Sequence, residues 1–274
     1  MELEINGKKY NIKQYACSPC NEFPFYINVT NICNAKCKFC SNENNKNFGK
    51  LDLDELKSII DKVYKKISRF SISGGETLIN TENLEELLRL LKNYERRITI
   101  NTNGILLKEN IEMLNKYPIE SIQLSRHHYD DEKNNEVFGV KTIAYNEIKE
   151  LKTNADLRIN CLLIKDYIDS KEEVINFLES ISKTQINQVG FISMMQVNSY
   201  TKENFVDYKD IVNNFTDEFY LTKKMCDEDR CTCDNYIYIA ENGKPIFVYF
   251  RNTKKFQDGG RSLFYDSAGL KEGY

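Results

Sequence analysis

Cys33, Cys37 and Cys40 fall within the eight residues Cys-Asn-Ala-Lys-Cys-Lys-Phe-Cys. The Cys-x3-Cys-x2-Cys spacing gathers three thiolates on one tight loop and leaves the set one short of the four ligands that close a structural zinc site. No further cysteine or histidine follows until His127. An iron–sulfur cube held by three cysteines keeps one iron without a protein ligand, open to a small chelating molecule such as the amino and carboxylate end of an amino acid. A zinc loop closed by a remote fourth ligand is the plainer alternative for the same residues.

Cys33-x3-Cys37-x-Phe39-Cys40, with an aromatic residue before the third cysteine, resembles the signature of the radical S-adenosylmethionine (radical SAM) enzymes. Phe70-Ser71-Ile72-Ser73-Gly74-Gly75-Glu76 resembles the Gly-Gly-Glu motif of that superfamily, and Thr99-Ile100-Asn101-Thr102-Asn103-Gly104 its third-strand motif. The resemblance covers residues 24–195. It implies that Cys33, Cys37 and Cys40 bind three irons of a [4Fe–4S] cluster and that S-adenosylmethionine chelates the fourth. One electron from the cluster then breaks the sulfur–C5′ bond, and the resulting 5′-deoxyadenosyl radical takes a hydrogen atom from substrate. The protein supplies binding, orientation and shielding. On this resemblance Phe39 lies near the adenine or anchors its loop. Gly74 and Gly75 let backbone approach a ligand closely, and Glu76 accepts hydrogen bonds from the cationic amino group. Asn101, Asn103, Ser125 and Asn160 are neutral groups suited to ribose hydroxyls or the methionine carboxylate.

Further candidates lie outside those motifs. Both histidines are adjacent, in Ser125-Arg126-His127-His128-Tyr129-Asp130, on a loop after a strand, where function concentrates. Related enzymes often place an aspartate soon after this serine, so Arg126, His127 and His128 point to a different substrate, with surface loop histidines as the plainer reading. Arg158 falls among inward positions and needs an anionic partner there, either a substrate carboxylate or phosphate or an internal acid. Cys17 and Cys20 precede the first barrel strand, and Cys226, Cys231 and Cys233 lie near the C-terminus. Several radical SAM families carry an auxiliary cluster on cysteines after the barrel, which makes these five thiols candidates for a second iron–sulfur cluster. A zinc site or free thiols are the alternatives, and a spare thiol could return a hydrogen atom to a substrate radical. Cys161 reads as core.

These residues need a frame. Residues 2–15 read as a hairpin around Asn6-Gly7. Strands are predicted at 24–30, 69–74, 97–102, 119–125, 156–163 and 186–193, with helical patterns between them. Asp52 to Ile67 opens with a capping pair, Asp52 and Glu55, and carries Leu53, Leu56, Ile60, Val63, Tyr64 and Ile67 on one face. Thr81 to Tyr94 carries Leu84, Leu87, Leu88 and Leu91, and a helix opened by Ser170 carries Val174, Phe177, Leu178 and Ile181. Strands alternating with helices imply a parallel sheet with right-handed crossovers. One strand face is apolar (Ile27, Phe70, Ile72, Ile98, Ile100, Ile122, Leu124, Ile159, Phe191). The other is polar (Asn28, Ser71, Thr99, Asn101, Gln123, Arg158, Asn160), unlike the packed interior of an ordinary closed barrel. The predicted fold is therefore α/β, a partial (β/α)6 barrel around a polar cavity. A hairpin and lead-in occupy residues 1–23, the barrel 24–195, and a small cysteine-containing extension 196–274. The cysteine loop follows the first strand, at the C-terminal mouth where such barrels place their chemistry.

Composition sets the outer limits. The chain has 274 residues, 41% of them apolar, with four prolines and no tryptophan, as in an ordinary globular protein. Its 38 basic and 41 acidic residues give no electrostatic case for nucleic acid. No apolar run reaches bilayer length and Met1-Glu2-Leu3-Glu4 does not resemble a signal peptide, so no membrane partner and a cytoplasmic location are expected. Nine cysteines in that reducing compartment read as ligands or reactive thiols rather than disulfides. The expected partners are an electron donor such as flavodoxin or ferredoxin and a peptide substrate undergoing epimerisation or cross-linking, since compact members with additional cysteines often act on peptides. A nucleotide or small polar metabolite is the second substrate class. A non-catalytic iron–sulfur or zinc-binding regulator is the rival from another class.

Overall fold

The computed structural model describes residues 2–5, 7–11, 22–42, 49–222, 233–252 and 262–272. Strands β1 (Glu2–Ile5) and β2 (Lys8–Asn11) form the expected antiparallel hairpin, separate from the main sheet. The six predicted strands are β3 (Phe23–Asn28), β4 (Ile67–Ser73), β5 (Arg97–Thr102), β6 (Ile119–Ser125), β7 (Asp156–Leu163) and β8 (Gln188–Ser193). All neighbouring pairs among them are parallel. Between β3 and β4 runs α1 (Leu53–Val63), capped by the Asp52 side chain, which accepts from Asp54 N and Glu55 N. A short 3-10 turn, Tyr64–Lys66, follows, and Ile67 begins β4 rather than ending the helix. The remaining crossovers carry α2 (Thr81–Leu91), α3 (Leu107–Leu114), α4 (Asp131–Phe138), α5 (Tyr145–Glu150) and α6 (Lys171–Ser182).

The apolar strand face and the helices share one core. Ile27, Phe70, Ile72, Ile98, Ile100, Ile122, Leu124, Ile159 and Phe191 pack with Leu56, Ile60, Leu84, Leu87, Leu88, Val174 and Phe177, all buried. Each fully buried side chain of this size contributes roughly 1.5–3 kcal/mol through the apolar area it removes from water. Cys161 lies in the same core.

The extension continues the sheet instead of forming a separate body. After α7 (Ser199–Glu203), α8 (Tyr208–Val212) and β9 (Phe219–Leu221), β10 (Asp234–Ile239) and β11 (Pro245–Asn252) form a hairpin whose second strand pairs parallel with β8. At the opposite edge β12 (Leu263–Asp266) pairs parallel with β3, and β13 (Gly269–Glu272) returns antiparallel beside it. The strand order β13-β12-β3-β4-β5-β6-β7-β8-β11-β10-β9 leaves the sheet open. Among the described residues no helix is long and apolar enough to cross a membrane.

Candidate active site

The cysteine loop leaves the C-terminal end of β3 and is bound to its neighbours through backbone. Asn28 starts it, donating from Nδ2 to Asn31 Oδ1 at 2.8 Å while its Oδ1 accepts from Thr30 N at 3.1 Å. The Gly-Gly-Glu turn after β4 packs directly on this segment. Gly75 N donates to Thr30 O at 2.6 Å and Glu76 N to Ile32 O at 2.8 Å. A Cβ on Gly74 would stand 2.5 Å from Thr30 O, and one on Gly75 2.3 Å from Ile32 O. The close approach that requires glycine here is therefore to the chain's own loop. Farther along, Lys36 N donates to Phe138 O at 2.9 Å, and Asn198 Nδ2 to Lys38 O at 2.9 Å.

Phe39 supplies the apolar anchor. It packs with Val137, Ile164 and Met194, and its ring meets the His127 imidazole edge-on at 5.0 Å. Cys33 is exposed, whereas Cys37 and Cys40 are half-buried. Burial pushes the Cys37 thiol up to about 12, with further contributions from the adjoining Cys33 and Cys40, and burial also raises Cys33. Among the described residues no three thiol, imidazole or carboxylate groups converge on a point that would hold a single metal ion. In donor chemistry, three thiols on one loop suit a cluster held by three thiolates.

Glu76 joins this loop to the third-strand motif. Its carboxylate is buried, 1% exposed. Oε1 accepts from Leu78 N at 2.9 Å and Thr102 Oγ1 at 2.6 Å, and Oε2 accepts from Asn103 N at 2.7 Å. Burial nonetheless raises its pKa, against the lowering effect of those three bonds. Asn103 in turn reaches the cysteine loop, donating from Nδ2 to Asn34 Oδ1 at 2.8 Å with Cys33 Sγ at 3.9 Å. Thr102, absent from the sequence candidates, is one of the three donors that fix Glu76.

The polar strand face is knit together beneath the loop. Asn101 Nδ2 donates to Ile72 O at 2.9 Å and to Ser71 Oγ at 3.3 Å. Asn160 Nδ2 donates to Gln123 Oε1 at 2.9 Å, and Asn160 Oδ1 accepts from the Tyr249 phenol at 2.6 Å. Ser125 ends β6 beside Asn160, half-buried. Tyr249 lies in the extension, where no motif marks it. The alternation of Ile246, Val248 and Phe250 with Phe247, Tyr249 and Arg251 is the one signal that assigns it to the polar face.

The loop after β6 holds its charged and aromatic residues inside. Arg126 is 1% exposed and donates to Ile143 O, Tyr129 O and, at 2.5 Å, Asp131 Oδ1, with its guanidinium over the Tyr145 ring. These contacts tie the loop to α4 and α5 and engage the Arg126 guanidinium within the protein. Both histidines are buried rather than at the surface. His127 stacks on Phe138 at 4.9 Å and accepts from Leu162 N through Nδ1 at 3.1 Å, and burial helped by Arg126 lowers its pKa to about 3. His128 accepts from Asp130 N through Nδ1 at 2.9 Å, and burial lowers it to about 4. The backbone N–H groups of both are held by the buried Asn134. Arg158 is buried, 3.8 Å from Glu120, and burial lowers it to about 10. An internal acid thus stands beside it, the second of the two partners expected for it. Cys233 is buried just before β10, while Cys17, Cys20, Cys226 and Cys231 lie outside the described residues.

Solved structures similar to this chain in architecture include Streptococcus suis SuiB bound to precursor peptide SuiA. That match has a TM-score of 0.60 and 23% identity, covering 70% of this chain and 44% of that one. The structure of anSMEcpe with bound AdoMet and a peptide matches with a TM-score of 0.52 and 19% identity, covering 65% of this chain and 55% of that one. Both likenesses are of fold. Among curated sequences, a GTP 3′,8-cyclase of Clostridium perfringens is 24% identical over 165 residues, covering 56% of this chain and 49% of the relative. A probable GTP 3′,8-cyclase of Methanococcus maripaludis is 33% identical over 105 residues, covering 37% of this chain and 35% of the relative. The chain spans about half the length of the Clostridium relative or less of these curated proteins. The model of the radical SAM superfamily matches residues 27–211, from β3 into α8. The chain belongs to the radical SAM superfamily, the enzymes that work with a [4Fe–4S] cluster and S-adenosylmethionine.

Proposed function

We propose that this enzyme holds its cluster on Cys33, Cys37 and Cys40, binds S-adenosylmethionine beside Gly74, Gly75, Glu76, Asn103, Ser125 and Asn160, and removes a hydrogen atom from a peptide residue. The observation that carries this reading is the set of three thiols on one loop at the C-terminal end of the parallel strands, above a polar inner face. The cluster and S-adenosylmethionine supply the reducing electron and the hydrogen-abstracting species. Glu76 contributes a buried carboxylate whose charge favours a cation beside it, and Oε2 keeps acceptor capacity beyond its bond to Asn103 N. Asn103 fixes the cysteine loop against the third strand.

A peptide is supported by the accessible mouth. Cys33 is exposed, so a residue within a longer chain can approach the loop. SuiB, which shares the fold, is described with a precursor peptide. A nucleotide or small polar metabolite is the second reading, favoured by Arg251, one inner-face step nearer the mouth than Tyr249, and by the relatives named GTP 3′,8-cyclase. The test uses protein reconstituted anaerobically and reduced with dithionite. Wild type should convert S-adenosylmethionine to 5′-deoxyadenosine, and the C33A/C37A/C40A variant should lose that activity together with about four irons, one cube. Unchanged iron content and visible absorption in the triple variant would refute the ligand assignment. Saturable GTP binding by calorimetry would favour the nucleotide reading over the peptide.

A further inference from the structure

The family match ends at residue 211, yet a strand beyond it takes part in the site. Along β11, Ile246, Val248 and Phe250 enter the core shared with the helices. Tyr249 therefore projects to the opposite, polar face. Its backbone is in register with Gly190 of β8, which is in register with Asn160 of β7. The Tyr249 ring lies across β8 over Gly190, where a Cβ would stand 2.1 Å from Cζ and 2.3 Å from the phenol oxygen. Glycine at 190 is thus what lets a side chain from β11 reach β7.

The reach ends in a hydrogen-bonded chain, Tyr249 to Asn160 at 2.6 Å and Asn160 to Gln123 at 2.9 Å. Burial raises the phenol pKa, so it remains protonated as a donor. An asparagine amide offers two N–H groups and two acceptor positions. Asn160 spends one of each on Gln123 and Tyr249, which fixes its plane and leaves one donor and one acceptor for a ligand. Arg158 lies one inner-face step farther from the mouth than Asn160, buried and beside Glu120. Gln123 is in register with Arg158, so the Asn160–Gln123 hydrogen bond runs from one inner-face level to the next.

We propose that Tyr249 is a positioning residue of the S-adenosylmethionine cavity: its phenol fixes the Asn160 amide that meets the cofactor, and its ring closes the interior below that amide. This rests on Asn160 being a cofactor-binding residue. The strand after the matched region then sets the depth of the cavity, a feature absent from the six-strand unit alone.

The test is S-adenosylmethionine binding by calorimetry to anaerobically reconstituted full-length protein, with iron content and unfolding midpoint measured on each sample. Tyr249→Phe keeps the ring and removes one hydrogen bond, so binding should weaken about threefold to tenfold. Asn160→Ala should weaken it at least as much. The double variant should be no weaker than Asn160→Ala, because Tyr249 acts through Asn160. Gly190→Ala, which drives the ring off β8 while keeping the phenol, should reproduce the Tyr249→Phe loss. Wild-type affinity in both Tyr249→Phe and Gly190→Ala overturns the proposal, as do Tyr249→Phe and Asn160→Ala losses that multiply in full. Wild-type affinity in cluster-loaded Asn160→Ala removes Asn160 from the site, and the positioning role with it. Failure of iron-replete wild type to bind S-adenosylmethionine at all would instead strike at the cofactor reading itself.

Discussion

Glu76→Ala should damage the fold as well as the cofactor site. The buried carboxylate takes hydrogen bonds from Leu78 N, Thr102 Oγ1 and Asn103 N, within 2.6–2.9 Å. Truncation leaves two buried backbone N–H groups and one hydroxyl facing a void. A donor that loses its partner inside the protein costs about 1–3 kcal/mol. Water entering the void and relief of the buried charge offset part of this, which leaves a net loss of roughly 2–5 kcal/mol. For a chain of this size that is a fall of about 3–9 °C in unfolding midpoint. Thermal unfolding of the metal-free protein, followed by far-UV circular dichroism under anaerobic conditions, measures it without the cofactors. Glu76→Gln should fall in between, because its amide must turn an N–H toward one of the three donors. The same truncation should weaken S-adenosylmethionine binding roughly tenfold or more, through loss of a charge-assisted hydrogen bond. A midpoint within about 2 °C of wild type in Glu76→Ala would refute the structural half of this reasoning. Wild-type affinity would refute the other half.

Two further outcomes are expected. His127 has a pKa of about 3 when folded against 6.5 for the ordinary imidazole. Between those values the unfolded chain takes up a proton that the folded protein does not. The stabilising contribution is therefore complete above pH 6.5 and is lost as pH falls toward 3, on the order of several kcal/mol at the acid end. In urea unfolding between those pH values, His127→Asn should show a shallower acid loss than wild type, and equal slopes would count against it. The remaining thiols, Cys17, Cys20, Cys226, Cys231 and Cys233, are proposed to include the ligands of a second cluster. The C33A/C37A/C40A protein reconstituted anaerobically should then keep about four irons, which further loss of Cys231 and Cys233 removes. A colourless, iron-free triple variant would leave zinc or free thiols for these positions.

How far the sequence carried the structure follows from the range of each interaction. The six barrel strands were legible because each places apolar residues on alternate positions. That period of two and the helical period between strands are local properties of the chain. The cysteine loop was legible for the same reason, its three thiols being neighbours in sequence. Capping residues Asp52 and Ser170 were legible because a cap bonds backbone only two or three residues away. Ile67 was misplaced at the end of α1 because a strand-edge isoleucine and a helix-face isoleucine have the same polarity.

What tertiary structure alone decided is which partner each polar group finds across long separations. Arg126 and the two histidines read as substrate groups because they are polar and follow a strand. Only the packing of α4 and α5 against that loop buries them and assigns the guanidinium to Asp131. The two motif glycines carry no label saying what they approach, and the folded chain presents them to Thr30 and Ile32. Tyr249 lies 89 positions from Asn160, and the alternation along its strand gives its face but not its partner. Its place depends on β11 joining β8 in parallel, a pairing settled by the burial of Val248 and Phe250 against the same core that the earlier strands build. Local periodicity determined the barrel and the loop that carries its chemistry, and long-range packing determined which side chains face it.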